Sequence, residues 1–197
     1  MSARHDTTPP GGLDPALRRR NRLLLVAIAA IFLGSFALAG ALRFAGWRPA
    51  GMKNHGEMLD PPGDARALTP TLVEGGAYAW NPVERRWRIA VAPPAGCTTD
   101  CQRLAADLEK VRLLFGQDAP DVDILWIGDY PAGARRIAGL RQVRDDAALR
   151  AALPRSDDPR GTPLYVIDPN GFVILRYAPG ADPGQLRSDL AKLLKLR

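Results

Sequence analysis

The chain has 197 residues, two cysteines and a formal net charge of +6, which leaves room for one ordinary domain plus a tail. Half of that charge lies in the first 22 residues, where Arg4, Arg18, Arg19, Arg20 and Arg22 oppose Asp6 and Asp14. In the rest of the chain arginines are scattered among nearly as many acids, which excludes the clustered basic face of a nucleic-acid binder.

Residues 1–22 read as a disordered cytoplasmic tail, with His5, two threonines, two prolines and two glycines near its start. Residues 23–42 are Leu, Ala, Ile, Phe, Val and Gly with the single Ser35. About 20 apolar residues span a hydrocarbon core of roughly 30 Å, so this run is expected to be a transmembrane helix. Four arginines stand directly before it and only Arg43 and Arg48 follow closely. By the positive-inside rule the N-terminus stays in the cytoplasm and everything after Leu42 is outside, on the periplasmic side of a bacterial inner membrane. A cleaved signal peptide remains the competing reading, because Ala37-Leu38-Ala39 is an acceptable small-x-small site. Either way the domain is exported.

Residues 43–83 are rich in Pro and Gly and read as a juxtamembrane linker and lead-in. The domain is expected over 84–197. Trp87–Ala92 alternates as a strand, and Pro93-Pro94-Ala95-Gly96 ends it. From Thr98 a helix is predicted, with Cys101, Leu104, Leu108, Val111 and Phe115 on one face and Gly116 as its stop. Val122–Ile127 is a candidate buried strand. Residues 134–153 read as broken helix, with Asp145 capping Ala147–Leu153. Leu164–Ile167 and Phe172–Tyr177 are strands joined by Asp168-Pro169-Asn170-Gly171, a hairpin signal. Asp182 and Pro183 open a last helix with Leu186, Leu190, Leu193 and Leu194 on one face. The expected architecture is α/β, a mixed sheet with helices on both faces. Trp80, Trp87, Trp126 and Tyr165 read as core, rim or sheet residues.

The chemistry centres on Cys97-Thr98-Thr99-Asp100-Cys101. Four residues of helical rise separate Cα atoms by about 6 Å, within disulfide range. So short a loop constrains the unfolded chain little, which favours chemistry or metal as the reason for the pair. Amides at a helix mouth would stabilise a Cys97 thiolate, and Asp100 would oppose it. Thiolates also suit Cu(I). A redox couple, two-thirds of a copper site and an inert bridge all remain open. No phosphate loop, zinc spacing or Ser/His/Asp set appears.

A cysteine pair between the first strand and first helix, in this element order, resembles the thioredoxin superfamily over about residues 87–197. The resemblance implies a cis Thr162-Pro163 bond, with the Thr162 backbone beside the cysteines as a clamp. The C-x3-C spacing behind one anchor, with Tyr165-Val-Ile-Asp-Pro-Asn-Gly171, is similar to the Sco/SenC family of cytochrome oxidase assembly proteins. That likeness implies Cys97 and Cys101 as thiol couple or copper ligands, and a partner such as cytochrome c oxidase subunit II or another exported thiol protein. The family's histidine ligand, shortly before the strand at Leu164–Ile167, has no counterpart here; no histidine follows His55. Met52, His55 and Met58 are soft donors that could complete a Cu(I) site only if the linker folds back. A general periplasmic thiol-disulfide oxidoreductase and a binding module with a structural bridge are the rival readings.

Overall fold

The computed structural model describes residues 15–45 and 54–195, and the chain divides into two compact units, Met1–Met52 and Lys53–Arg197. The first is helix α1 (Pro15–Phe44). Thirty residues at 1.5 Å make it about 45 Å long, and it is long and apolar enough to cross a membrane. Its large side chains, among them Leu25, Ile31, Phe32 and Phe36, are exposed. The hydroxyl of Ser35 donates to the carbonyl of Phe32 at 2.8 Å, so the polar side chain within the run is satisfied by its own helix. The expected span 23–42 lies inside α1, and residues 15–22, read as tail, form its first turns. Residues 1–14 of that tail lie outside the described residues.

The second unit is built on a six-stranded mixed sheet of order β1-β6-β5-β2-β3-β4. The strands are β1 (Glu57–Asp64), β2 (Trp87–Val91), β3 (Val122–Ile127), β4 (Leu140–Val143), β5 (Leu164–Ile167) and β6 (Phe172–Tyr177). β2, β3 and β4 run parallel, while the β2–β5, β5–β6 and β6–β1 pairs are antiparallel. The central strands bury both faces, which is why they read as unbroken apolar runs. Alternate residues go to opposite sides. Ile89, Val91, Ile124, Trp126 and Val166 pack under α2 (Thr99–Leu113) and α4 (Pro183–Leu194). Ala90, Leu125, Ile127, Tyr165 and Ile167 meet α3 (Ala147–Ala151) and the segment around Leu59, Ala65 and Tyr78. A bulge in β6 puts Val173 on the second face and Leu175 on the first.

Three sequence expectations are corrected. The expected linker 43–83 contains β1, and its later part covers a sheet face. Pro61 and Pro62 made β1 illegible as a strand, yet an edge strand tolerates proline because one side of its backbone needs no partner. Within the expected broken helix 134–153, Leu140–Val143 is a strand, its ends buried against the sheet. The cap of α3 is Asp146, whose carboxylate accepts from Ala148 N and Leu149 N, rather than Asp145. The Asp182 cap with Pro183 at the first helical position is as expected.

Two buried carboxylates, Asp123 of β3 and Asp189 of α4, bind the lead-in to the rest of the domain. The hydroxyl of Tyr78 donates to Asp123 at 3.0 Å and accepts from Arg88 Nε at 2.9 Å. Burial and the Asp123 charge push the Tyr78 hydroxyl up to about 12. On the other face Asp189 accepts from His55 N at 2.6 Å, Gly56 N at 3.0 Å, Tyr177 Oη at 3.0 Å and Lys192 Nζ at 3.1 Å. Gly56 is needed there, since a Cβ would stand 2.6 Å from the Tyr177 ring.

Candidate dithiol site

β2 ends at Val91, where it pairs with Leu164 of β5. The loop Ala92–Cys97 leaving β2 and the Thr162-Pro163 step entering β5 therefore sit at the same end of the sheet. Gly96 turns the loop with φ +75°, a left-handed conformation that favours glycine. Cys97 N then donates to Pro94 O at 3.3 Å. Cys97 precedes Thr98, the N-cap of α2, and Cys101 is the third residue of that helix.

The two sulfurs are joined in a disulfide, with Cα atoms 5.8 Å apart. Their surroundings differ sharply. Cys101 is 1% exposed and belongs to the core cluster under α2, whereas Cys97 is half-buried at the rim. The Thr98 side chain makes no cap hydrogen bond, so the first amides of α2 are left to favour negative charge at the helix mouth. The expected opposition from Asp100 is reduced, because Arg103 pairs with it at 3.6 Å.

Cys97 opens on a groove of about 510 Å³ shared with Pro93, Pro94, Tyr130, Pro131 and Arg144. The far wall is fixed by its own contacts. Trp126 and Tyr130 meet edge to face with centroids 4.9 Å apart, Trp126 Nε1 donates to Asp129 O at 2.9 Å, and Gln102 Nε2 donates to Ala132 O at 2.7 Å. Arg150 closes the near wall by donating to the carbonyls of Ala92 and Pro93. Sequence reasoning missed Tyr130, Gln102 and Arg150. Gln102 and Arg150 bond to carbonyls 30 to 58 residues away, and Tyr130, though it meets nearby Trp126 and Arg135, lies in a loop that no local pattern marks.

The remaining candidate site residues fall differently. Pro163 is buried at the start of β5, but the Thr162-Pro163 bond is trans; the cis bond among the described residues is Asp60-Pro61. Trans is the lower-energy form of an X-Pro bond, and a proline opening a strand breaks no ladder hydrogen bond. Thr162 lines a second groove, of about 430 Å³, with Asp100, Arg103, Leu104 and Pro179. Cys97 and Thr162 thus flank the start of α2 from two different grooves.

Copper is the metal that the Sco resemblance implies, and the residues do not fit a third ligand. His55 turns Nδ1 to Asp189 at 3.2 Å, at the α4 side of the domain. Met58 pairs with Leu175 across the sheet edge, and Met52 lies outside the described residues. Near Cys97 the groove offers the oxygens of Asp129, Asp145 and Gln142 and the cations Arg144 and Arg150, a poor shell for soft Cu(I). Among the described residues no group of three His, Cys, Asp or Glu side chains is placed to hold a metal.

A family model described as "Transmembrane-like, thioredoxin-like, C-terminal domain" matches residues 87–197. Among solved structures, the chain is similar to BsSco, described as a member of the Sco family of cytochrome c oxidase assembly proteins: 15% identity over 74% of this chain and 98% of that one, TM-score 0.50. It is also similar to copper-bound ScoI of Arabidopsis thaliana, with 13% identity over 72% of this chain and 99% of that one, TM-score 0.49. A thiol:disulfide interchange protein from Bacteroides sp. matches at 16% identity over 71% of this chain and 90% of that one, TM-score 0.44. At these identities the likeness concerns the fold, which is the thioredoxin-like one expected. No curated protein matches the chain.

Proposed function

The chain belongs to the family of the transmembrane-like, thioredoxin-like C-terminal domain, and from that premise we propose that it is a membrane-anchored thiol–disulfide exchange protein of Sco-like type. α1 is the anchor, with the N-terminus in the cytoplasm and the domain in the periplasm. The observation that carries the reading is the asymmetry of the pair: Cys97 half-buried at an open groove, Cys101 buried behind it.

In the reduced protein the Cys97 thiolate attacks one sulfur of a partner disulfide. That bond breaks, the partner's other sulfur leaves as thiolate, and Cys97 is held in a mixed disulfide. The Cys101 thiolate then attacks the Cys97 sulfur, forming the bridge and releasing the second partner thiol. Two electrons pass to the partner, and an exported dithiol reductant returns the pair to the thiol state. The partner we favour is the exported copper-site domain of cytochrome c oxidase subunit II, because a cysteine can take up metal only as a free thiolate and not while oxidised in a disulfide. Supporting this are the fold shared with BsSco and the C-x3-C spacing; the misfit of a third ligand favours thiol exchange over copper delivery.

The test incubates the reduced full chain in detergent with the oxidised copper-site domain and counts thiols on each. Transfer of two thiols, abolished by Cys97→Ser, is the expected result. No transfer together with tight one-to-one Cu(I) binding would overturn it in favour of copper handling. Equal turnover on insulin would make it a general oxidoreductase.

A further inference from the structure

We propose that Arg150 is a positioning residue for the dithiol, holding the backbone that carries Cys97 within reach of Cys101. The inference rests on the exchange reading above and deepens it.

The stretch from β2 to α2 reads Ala92-Pro93-Pro94-Ala95-Gly96-Cys97. Pro93 and Pro94 have no amide hydrogen, so this loop has few donors with which to hold itself. Its internal backbone bond is the 3.3 Å contact from Cys97 N to Pro94 O. Arg150 supplies what the prolines lack: Nη1 donates to Ala92 O at 3.2 Å and Nη2 to Pro93 O at 2.8 Å. A planar guanidinium can address two successive carbonyls at once, which a lysine ammonium on a single stem does less well.

The guanidinium is itself held. Asp145 accepts from Nε at 2.5 Å and from Nη2 at 3.2 Å. The helix that carries Arg150 is capped by Asp146 and seated through Leu149, 1% exposed in the second core cluster. The side chain of Arg150 is 22% exposed and lines the groove onto which Cys97 opens. A continuous chain of contacts thus runs from the sheet's second face, through α3 and Arg150, to the loop before the dithiol.

Cys101 is fixed by the core; Cys97 is fixed by its loop. Holding that loop raises the effective concentration of one sulfur at the other, and this favours both bridge formation and the release of a mixed disulfide. Loss of the clamp should therefore shift the pair toward the dithiol at a given glutathione poise.

The experiment equilibrates the full chain in detergent with glutathione buffers at one pH and reads the constant for bridge formation, alongside the circular dichroism spectrum. For Arg150→Ala the constant should fall about tenfold, the scale of losing one or two charge-assisted hydrogen bonds. Arg150→Lys should lie between Ala and the parent. A folded Ala variant with the parent's constant overturns the assignment. Should that variant fail to fold, a folded Lys variant with an unchanged constant overturns it equally. Lower thermal stability with an unchanged constant would be the signature of a merely structural role. Glutathione, not the exported partner, is the probe, so the constant can shift even if thiol transfer to the copper-site domain fails. Successful transfer with an unchanged constant would sink only the role of Arg150.

Discussion

Asp189 shows how a single side chain can secure an entry point. Burial alone would raise its pKa, but the Gly56 amide, Lys192, His55 and Tyr177 outweigh that and hold it at about 2, against 3.8 for a free carboxylate. A depressed folded-state value means the stabilisation is fully present above the unfolded value and is lost as pH falls from about 4 through about 2. The shift corresponds to about 2 kcal/mol at neutral pH. Thermal melts between pH 7 and pH 2 should show the parent losing stability in that window. Asp189→Asn should start lower at pH 7 and vary less across it; parallel curves would refute the assignment. Tyr78 offers a second residue-scale check. Tyr78→Phe removes the hydroxyl shared by buried Asp123 and Arg88 and should cost about 1–3 kcal/mol in urea denaturation, with an unchanged midpoint as the contrary result.

At the scale of elements, what could be read from the sequence followed from which forces shape each segment. β3, β5, β6 and α4 are set by local pattern, continuous apolar runs, an Asn-Gly turn and an Asp-Pro cap, and their bounds agree with expectation. β1 is set by its neighbour. Its Met58 and Gly63 pair with β6 around two prolines, so nothing local announces a strand. β4 is only four residues long and takes its state from β3. The cysteine pair was legible because spacing alone brings it together, but the groove was not, since Gln102 and Arg150 hold its walls through contacts 30 to 58 residues apart and Tyr130 sits in a loop that no periodicity marks. The consequence for domain limits can be tested. A polypeptide beginning at residue 84 would lose Leu59, Ala65 and Tyr78 from the second core cluster and should aggregate or melt well below one beginning at residue 54. Equal stability of the two would show that β1 and the lead-in are dispensable. Reduction of the bridge should matter much less: closing so small a loop contributes about 2 kcal/mol at most in the chain-entropy account. The dithiol form should therefore keep a cooperative urea transition.

At the scale of the whole molecule, an apolar helix long enough for a membrane precedes a thioredoxin-like domain whose one disulfide, among the described residues, has an outer and an inner sulfur. The proposed exchange depends on that difference, because the first attack must come from the sulfur a partner can reach. The decisive measurement is to trap the mixed disulfide. Reduced Cys101→Ser and Cys97→Ser chains are exposed separately to a chromogenic aromatic disulfide, and the adducts are weighed by mass spectrometry. Cys97 in the Cys101→Ser chain should form a stable adduct rapidly, while Cys101 in the Cys97→Ser chain should react far more slowly in the native state. Comparable rates, or faster capture at Cys101, would contradict the account.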